Sequence, residues 1–102
     1  MANHANNPDL SRLLTTATNF YAGRSNQDDD STPRFTMMEA ECRACLTYVA
    51  TGLPAATDAD LHRQMRQAIA ELLLVVSADF KDAGFRFAAA DAKAASGLVA
   101  VI

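Results

Sequence analysis

The sequence predicts an all-α fold, a small bundle of three to four helices around one long central helix. Apolar residues recur with helical spacing in three segments, capping residues and glycines bound these segments, and no Gly or Pro interrupts residues 58–83. A chain of 102 residues has room for one domain of ordinary size. We therefore expect residues 1–102 to form a single helical domain.

The first predicted helix follows residues 1–7, a polar stretch that we expect to be a disordered tail. Asn7 suits an N-cap, Pro8 suits the first helical position, and Asp9 suits the positive end of the helix dipole. Gly23 offers a left-handed end to the helix. The apolar residues of one face are Leu10, Leu13, Leu14, Ala17, Phe20 and Tyr21.

Residues 24–34 contain no large apolar residue and read as a mobile acidic linker between the first two helices. The run Asp28, Asp29, Asp30 lacks the spacing, the Gly and the Glu of a calcium-binding loop. Blocks of like charge are usually exposed, so we interpret this run as solvated.

A capping box of Thr36 and Glu39 predicts the start of the second helix, with Phe35 packing back as a hydrophobic staple. Gly52 and then Pro54 predict its end. The apolar face consists of Met38, Cys42, Cys45, Leu46 and Val49.

The third helix is predicted from Asp58 to Ala83, after a weaker capping pair of Thr57 and Asp60. This helix is about 26 residues long, whereas an average helix has about 11 to 12. Gly84 is its expected stop. Its apolar stripe comprises Leu61, Met65, Ala68, Ile69, Leu72, Leu73, Val75, Val76, Phe80 and Ala83.

The C-terminal segment has two possible forms. Residues 85–87 alternate like a short extended piece, and the alanine-rich stretch from Ala88 favours a fourth helix on propensity. The apolar residues 98–102 suit a strand equally well. The sequence leaves open which form the C-terminus takes.

Composition and charge exclude several classes of function. The formal net charge of −3 disfavours direct binding of nucleic acid, where affinity comes mainly from Lys and Arg. No apolar run approaches the length of a membrane span, so we expect no membrane association. Residues 1–7 lack the features of a secretion signal, which favours the cytoplasm and reduced thiols.

The pair Cys42 and Cys45 has the Cys-x-x-Cys spacing of redox motifs and of half a zinc site. Both lie on the apolar face of the second helix, where free Cys behaves as a small hydrophobe, so we favour core packing. The alternative is a metal-binding or redox site that adds His62. Because the sequence shows no nucleophile motif and no cofactor cradle, we expect no enzyme activity, no cofactor and no metal site.

The run of residues 72–76 is apolar at five successive positions, which encircle a helix and require cover from more than one direction. Leu74 lies opposite the main stripe, between Ala70 and Ala78 one turn away. Either the C-terminal segment covers this face or another chain does. We expect a homodimer with the third helix near the two-fold axis.

Three further residues on or after this helix have alternative interpretations. Asp79 projects into the apolar stripe; we expect it to be exposed, and if it is buried its available partners are Arg86 and Arg43. Phe85 and Phe87 are expected to fill the core. Alternatively they and Arg86 rim a groove for a partner.

These features together predict a non-enzymatic regulatory protein that binds another protein and inhibits or sequesters it. One concrete form is an anti-activator of a bacterial transcription regulator or a phage-type inhibitor. The residues expected at a partner or dimer interface are Ala70, Leu74, Ala78, Phe85, Arg86 and Phe87. The alternative is a small helical metal-binding or redox protein that uses Cys42, Cys45 and His62.

Overall fold

A computed structural model describes residues 10–26, 32–52 and 58–100 of the chain. These residues form four α-helices and one π-helical segment, and they contain no strand, so the all-α class is confirmed. The elements are α1 (Leu10–Ser25), α2 (Thr32–Thr47), the π-helical segment Tyr48–Gly52, α3 (Ala59–Asp82) and α4 (Arg86–Ala100).

The helices pack as two hairpins, α1 with α2 and α3 with α4. A single core of buried side chains runs between the hairpins. The Cα radius of gyration of 13.7 Å is close to the roughly 13 Å expected for a domain of this length. The largest fully buried side chains are Tyr21, Phe80, Leu14, Ile69, Leu73, Val76 and Cys42.

The end of α1 differs from the sequence prediction. Gly23 does not stop the helix, which continues to Ser25. Arg24 lies in the last turn, where a cation favours the negative end of the helix dipole. Its guanidinium also packs over the ring of Phe20, one turn earlier, at 5.8 Å. The predicted features of residues 1–9 lie outside the described residues.

Helix α2 begins one turn before the predicted capping box. It starts at Thr32, so Thr36 lies inside the helix and Phe35 is a buried helical residue rather than a staple. Pro33 falls in the first turn, where its missing N–H has no intrahelical acceptor to lose. Both ends of the predicted 24–34 linker are therefore helical, and its acidic run 28–30 lies outside the described residues.

Helix α3 starts and stops close to its predicted ends. The carboxylate of Asp58 caps the N-terminus and accepts hydrogen bonds from the backbone N–H groups of Asp60 and Leu61 at 2.9 and 3.2 Å. The predicted partner Thr57 lies outside the described residues. At the other end, Gly84 takes a φ of +92°, a left-handed conformation that glycine adopts without steric cost.

The turn between α3 and α4 is a Schellman motif. The N–H of Phe85 donates to the carbonyl of Phe80 at 2.8 Å, and the N–H of Gly84 donates to the carbonyl of Lys81 at 3.0 Å. The carbonyl of Phe85 then accepts from the N–H of Ala89 at 2.9 Å. Helix α4 thus begins immediately after this turn, and the expected extended piece at residues 85–87 is wrong.

The C-terminal segment is helical as far as Ala100, which resolves the choice between helix and strand for the described residues. Small side chains let α4 lie close to α3. Ser96 donates from Oγ to the carbonyl of Ala70 at 2.7 Å, and Ser77 donates from Oγ to the carbonyl of Ala89 at 2.7 Å. The buried alanines of α4 are Ala89, Ala92 and Ala95.

Candidate functional site

The apolar run 72–76 of α3 is covered only in part by the chain itself, since Leu72, Leu73 and Val76 are buried whereas Leu74 and Val75 are exposed. On one side α4 lies against Ala70, which is buried. On another side the first hairpin packs against Phe80, whose ring lies 5.0 Å from that of Phe20. Neither covers Leu74 fully, since 51% of this residue is exposed, and Ala78 is exposed as well. Of the predicted interface residues on α3, Ala70 is therefore covered by α4, whereas Leu74 and Ala78 stay accessible.

Asp79 joins three helices, and the expectation that it is exposed is wrong. Only 12% of its side chain is accessible. Oδ2 accepts a hydrogen bond from the hydroxyl of Tyr21 in α1 at 2.6 Å. Nη2 of Arg34 in α2 donates to Oδ1 at 2.8 Å and to Oδ2 at 3.0 Å.

The partner of Asp79 is Arg34 rather than either of the two arginines considered from the sequence. Arg43 pairs with Glu39 on its own helix at 2.7 Å. Arg86 is exposed at the start of α4. Arg34 was missed because it falls in the segment interpreted as a linker, and only the early start of α2 places it against α3.

The environment of this cluster keeps its protons in place. Burial, and then the hydrogen bond to Asp79, raise the pKa of the Tyr21 hydroxyl above its usual range. The hydrogen bond to Asp79 raises the pKa of the Arg34 guanidinium. Near neutral pH a protonated phenol and a guanidinium therefore hold one carboxylate. The cluster therefore links α1 and α2 to α3 through Asp79.

An aromatic cluster surrounds Phe20 between the two hairpins. Its ring makes edge contacts with Tyr21, Phe80 and Phe85 at centroid distances of 5.1, 5.0 and 6.1 Å. Such edge-to-face pairs add to the stability gained from buried area. Beside the cluster is an open groove of about 320 Å³. It is lined by Thr16, Asn19, Phe20, Phe80, Phe85 and Ala88.

The expectation that Phe85 and Phe87 fill the core is wrong. Phe85 is 54% exposed and forms part of the groove wall, and Phe87 is 84% exposed. Phe87 precedes Ser96 by nine positions, which places the two side chains on opposite sides of the helix at about 100° per residue. Because Ser96 faces α3, Phe87 points away from it. The early start of α4 therefore decides this exposure.

The two cysteines have the environment of core residues. Cys42 is fully buried and Cys45 is half-buried, and neither forms a disulfide. Burial raises the pKa of the Cys42 thiol to about 12 and also raises that of Cys45. Both are therefore thiols near neutral pH, whereas metal binding and nucleophilic attack need the thiolate. Within the described residues, no three His, Cys, Asp or Glu side chains are grouped to hold a metal ion.

Comparison of the chain with protein-family models, with curated proteins and with solved structures found no match. Among the described helices, none has the length and apolar character needed to cross a membrane. The candidate site is therefore defined by geometry: the groove beside Phe20, its wall residue Phe85, and the neighbouring exposed residues Arg86 and Phe87.

Proposed function

We propose that the protein is a non-enzymatic regulatory protein that binds another protein and inhibits or sequesters it. The observation that carries this proposal is the exposure of Phe87 on a helix, two residues from the groove wall at Phe85. Aromatic and Arg side chains are enriched at the centres of protein interfaces. An exposed aromatic side chain beside an apolar groove is therefore suited to a protein partner.

The groove suggests how the partner is held. Its volume of about 320 Å³ accommodates large apolar side chains, and helix-in-groove binding uses such anchors at helical spacing. Phe87 and Arg86 would extend the contact beyond the groove. A net charge of −3 would favour a basic target surface. Such surfaces occur on transcription regulators, which fits an anti-activator or phage-type inhibitor acting in the bacterial cytoplasm without itself binding nucleic acid.

We also propose that the protein forms a homodimer with α3 near the two-fold axis. Leu74 stays half exposed although α4 and the first hairpin cover neighbouring positions on α3. Burying a leucine side chain contributes about 1.5 to 3 kcal/mol. A second copy is the simplest source of that cover, because a two-fold axis would bring the two Leu74 side chains together.

The metal-binding or redox alternative has weaker support from the geometry. It requires Cys42 as a thiolate, and burial stabilises the thiol instead. His62 lies on the first turn of α3, whereas Cys42 and Cys45 lie on α2. Elemental analysis checks this alternative directly: one stoichiometric metal per chain, lost in Cys42→Ser, would support it.

Affinity capture from a lysate of the source cells tests the main proposal. Wild type and Met37→Ser should retain one stable partner, and Phe87→Ser should lose it. Met37 is the matched control because it is also a large apolar residue, 66% exposed, on a different helix. All three proteins should melt at similar temperatures, since exposed substitutions usually change stability by less than about 0.5 kcal/mol. The proposal fails if Phe87→Ser keeps the partner, or if no partner is found while the purified protein turns over a small molecule.

A further inference from the structure

A second, polar pocket of about 150 Å³ lies where the end of α1, the start of α2 and the end of α3 meet. It is separated from the apolar groove by the ring of Phe20, which lines both. Its lining combines two guanidinium groups, two carboxylates and two aromatic rings. These residues are Phe20, Arg24, Arg34, Phe35, Asp79, Asp82 and Ala83.

Arg24 is held in this pocket by aromatic rings instead of by an acceptor. Its guanidinium carbon lies 5.8 Å from the ring centroid of Phe20 and 5.2 Å from that of Phe35. Its Nε is buried and has no hydrogen-bond partner. A guanidinium carries five N–H donors, and a buried donor without an acceptor is unfavourable. The pocket therefore holds a positioned guanidinium whose Nε has no acceptor among the residues that the structure describes.

Arg34 differs from Arg24 although the two side chains stack on the same ring. The guanidinium carbon of Arg34 also lies 5.2 Å from the ring centroid of Phe35, but its Nη2 donates to both oxygens of Asp79. Asp79 is further satisfied by the Tyr21 hydroxyl. Of the two guanidinium groups, Arg24 is thus the one left to receive a ligand.

We propose that this pocket binds a carboxylate through Arg24. A guanidinium fork matches a carboxylate in geometry and forms two parallel charge-assisted hydrogen bonds with it. The rings of Phe20 and Phe35 fix the plane of the fork in advance, which lowers the entropy lost on binding. Asp82 is exposed on the same pocket and opposes the ligand's charge, so it weakens binding.

Two sources can supply the carboxylate. One is an Asp or Glu side chain of the protein partner, in which case the inference rests on the proposed function. The other is a free small carboxylate. Propionate serves as the probe for the free form. A short peptide with blocked ends and one central Glu, together with its Gln counterpart, serves as the probe for the side-chain form.

The test is an NMR titration that follows the side-chain Nε–Hε signal of Arg24 in the full chain. Sodium propionate should shift this signal saturably, whereas sodium chloride at the same ionic strength should not. Arg24→Gln should weaken binding about tenfold or more, followed on the backbone signals around Phe35, since a charged hydrogen bond contributes that much. Arg63→Gln is the matched control, because Arg63 is an exposed arginine that pairs with exposed Asp60 at 3.1 Å and does not line the pocket.

Asp82→Asn should strengthen the binding of propionate, whereas Arg24→Gln should weaken it. Removing the exposed carboxylate should tighten the binding of propionate about threefold, as expected for a solvent-exposed charge pair. This variant also keeps the proposal testable if Arg24→Gln does not fold. A purely structural role for Arg24 predicts no saturable shift in the wild-type protein and no tightening in Asp82→Asn.

The outcomes distinguish a partner's side chain from a free carboxylate as the ligand. They also distinguish a failure of this inference from a failure of the proposed function. Tighter binding of the Glu peptide than of propionate, with no binding of the Gln peptide, would identify a protein side chain. Tighter binding of propionate would identify a free carboxylate. No saturable shift with any probe, or an equal shift with chloride, would overturn the inference. That result would leave the Phe87 capture experiment unaffected, because its variant lies outside this pocket.

Discussion

The hydroxyl of Tyr21 donates to Oδ2 of Asp79 across 2.6 Å, and this bond ties α1 to α3. Arg34 completes the cluster from α2, so one carboxylate connects the two hairpins. Aromatic packing also joins the hairpins, with the rings of Phe20 and Phe80 5.0 Å apart. The Tyr21–Asp79 bond is directional and contributes a defined position of one hairpin on the other.

Removing the carboxylate should destabilise the fold more than removing the hydroxyl. Asp79→Ala leaves both Arg34 and Tyr21 without their acceptor, and we expect a loss of about 2 to 3 kcal/mol. Tyr21→Phe removes one donor, and we expect a loss of about 1 kcal/mol. Urea unfolding measures both. Asp60→Ala is the control, because it breaks only an exposed pair with Arg63 and should cost less than about 1 kcal/mol. A loss in Asp79→Ala no larger than in this control would contradict the linking role.

Stability should fall as the pH rises above about 9. The pKa of Cys42 is raised to about 12 in the folded state from an ordinary value of 9.0, and that of Tyr21 is also raised. The unfolded chain therefore loses these protons first, and deprotonation favours unfolding. For each proton that the folded state keeps and the unfolded state has lost, the free energy of unfolding falls by roughly 1.4 kcal/mol as the pH rises by one unit. Below the unfolded-state pKa values, this contribution is fully present.

Unfolding of Cys42→Ala between pH 8 and 11 tests whether Cys42 contributes to this loss of stability at high pH. Its absolute stability will be lower because of the small cavity, but its slope against pH should be shallower than that of the wild type. Equal slopes in the two proteins would show that Cys42 does not keep its proton in the folded state.

Two glycine-to-alanine substitutions should change the free energy of unfolding in opposite directions. Gly84→Ala places a side chain at a φ of +92° and should cost about 1 to 2 kcal/mol. Gly97→Ala lies inside α4 with no atom within 4 Å of the added Cβ, and it should stabilise by about 0.5 to 1 kcal/mol. Thermal or urea unfolding of the two variants gives the comparison. The account of the α3–α4 turn is wrong if Gly84→Ala is neutral.

A homodimer through α3 predicts that Leu74→Glu is a monomer. The wild type should scatter light as a dimer, and the variant should scatter as a single chain and melt at a lower temperature, since two carboxylates would face each other at the axis. Ala68→Glu serves as the control, because it adds one negative charge at an exposed position about 120° around the same helix from Leu74. If Leu74→Glu has the same size and melting temperature as the parent, the dimer proposal is wrong.

The features that the sequence predicted correctly are those encoded by near neighbours. Helical spacing and capping residues act over three or four positions, which is why the all-α class and the ends of α3 at Asp58 and Gly84 follow from the sequence. The prediction failed at the start of α2, where contacts with other helices outweighed a local capping signal. Thr36 and Glu39 form a valid capping box, yet the helix extends back to Thr32 because Arg34 and Phe35 find partners on other helices.

For the candidate site, local sequence patterns singled out Phe85, Arg86 and Phe87 but did not decide which of them would be buried. The turn at Gly84 and the early start of α4 determine this by turning Phe87 away from α3. No sequence pattern marked Arg24 as a site residue. Its position depends on two rings from different helices, and its Nε has no acceptor among the described residues.

By itself, the sequence determined the all-α class and the ends of α3, since helical hydrogen bonds and caps join residues a few positions apart. Only the tertiary structure decided which residues meet: Asp79 contacts Arg34 from 45 residues away and Tyr21 from 58 residues away. Pairing over such separations depends on how one hairpin is placed on the other. No local period in the chain encodes that placement, because it arises from the packing of the whole core.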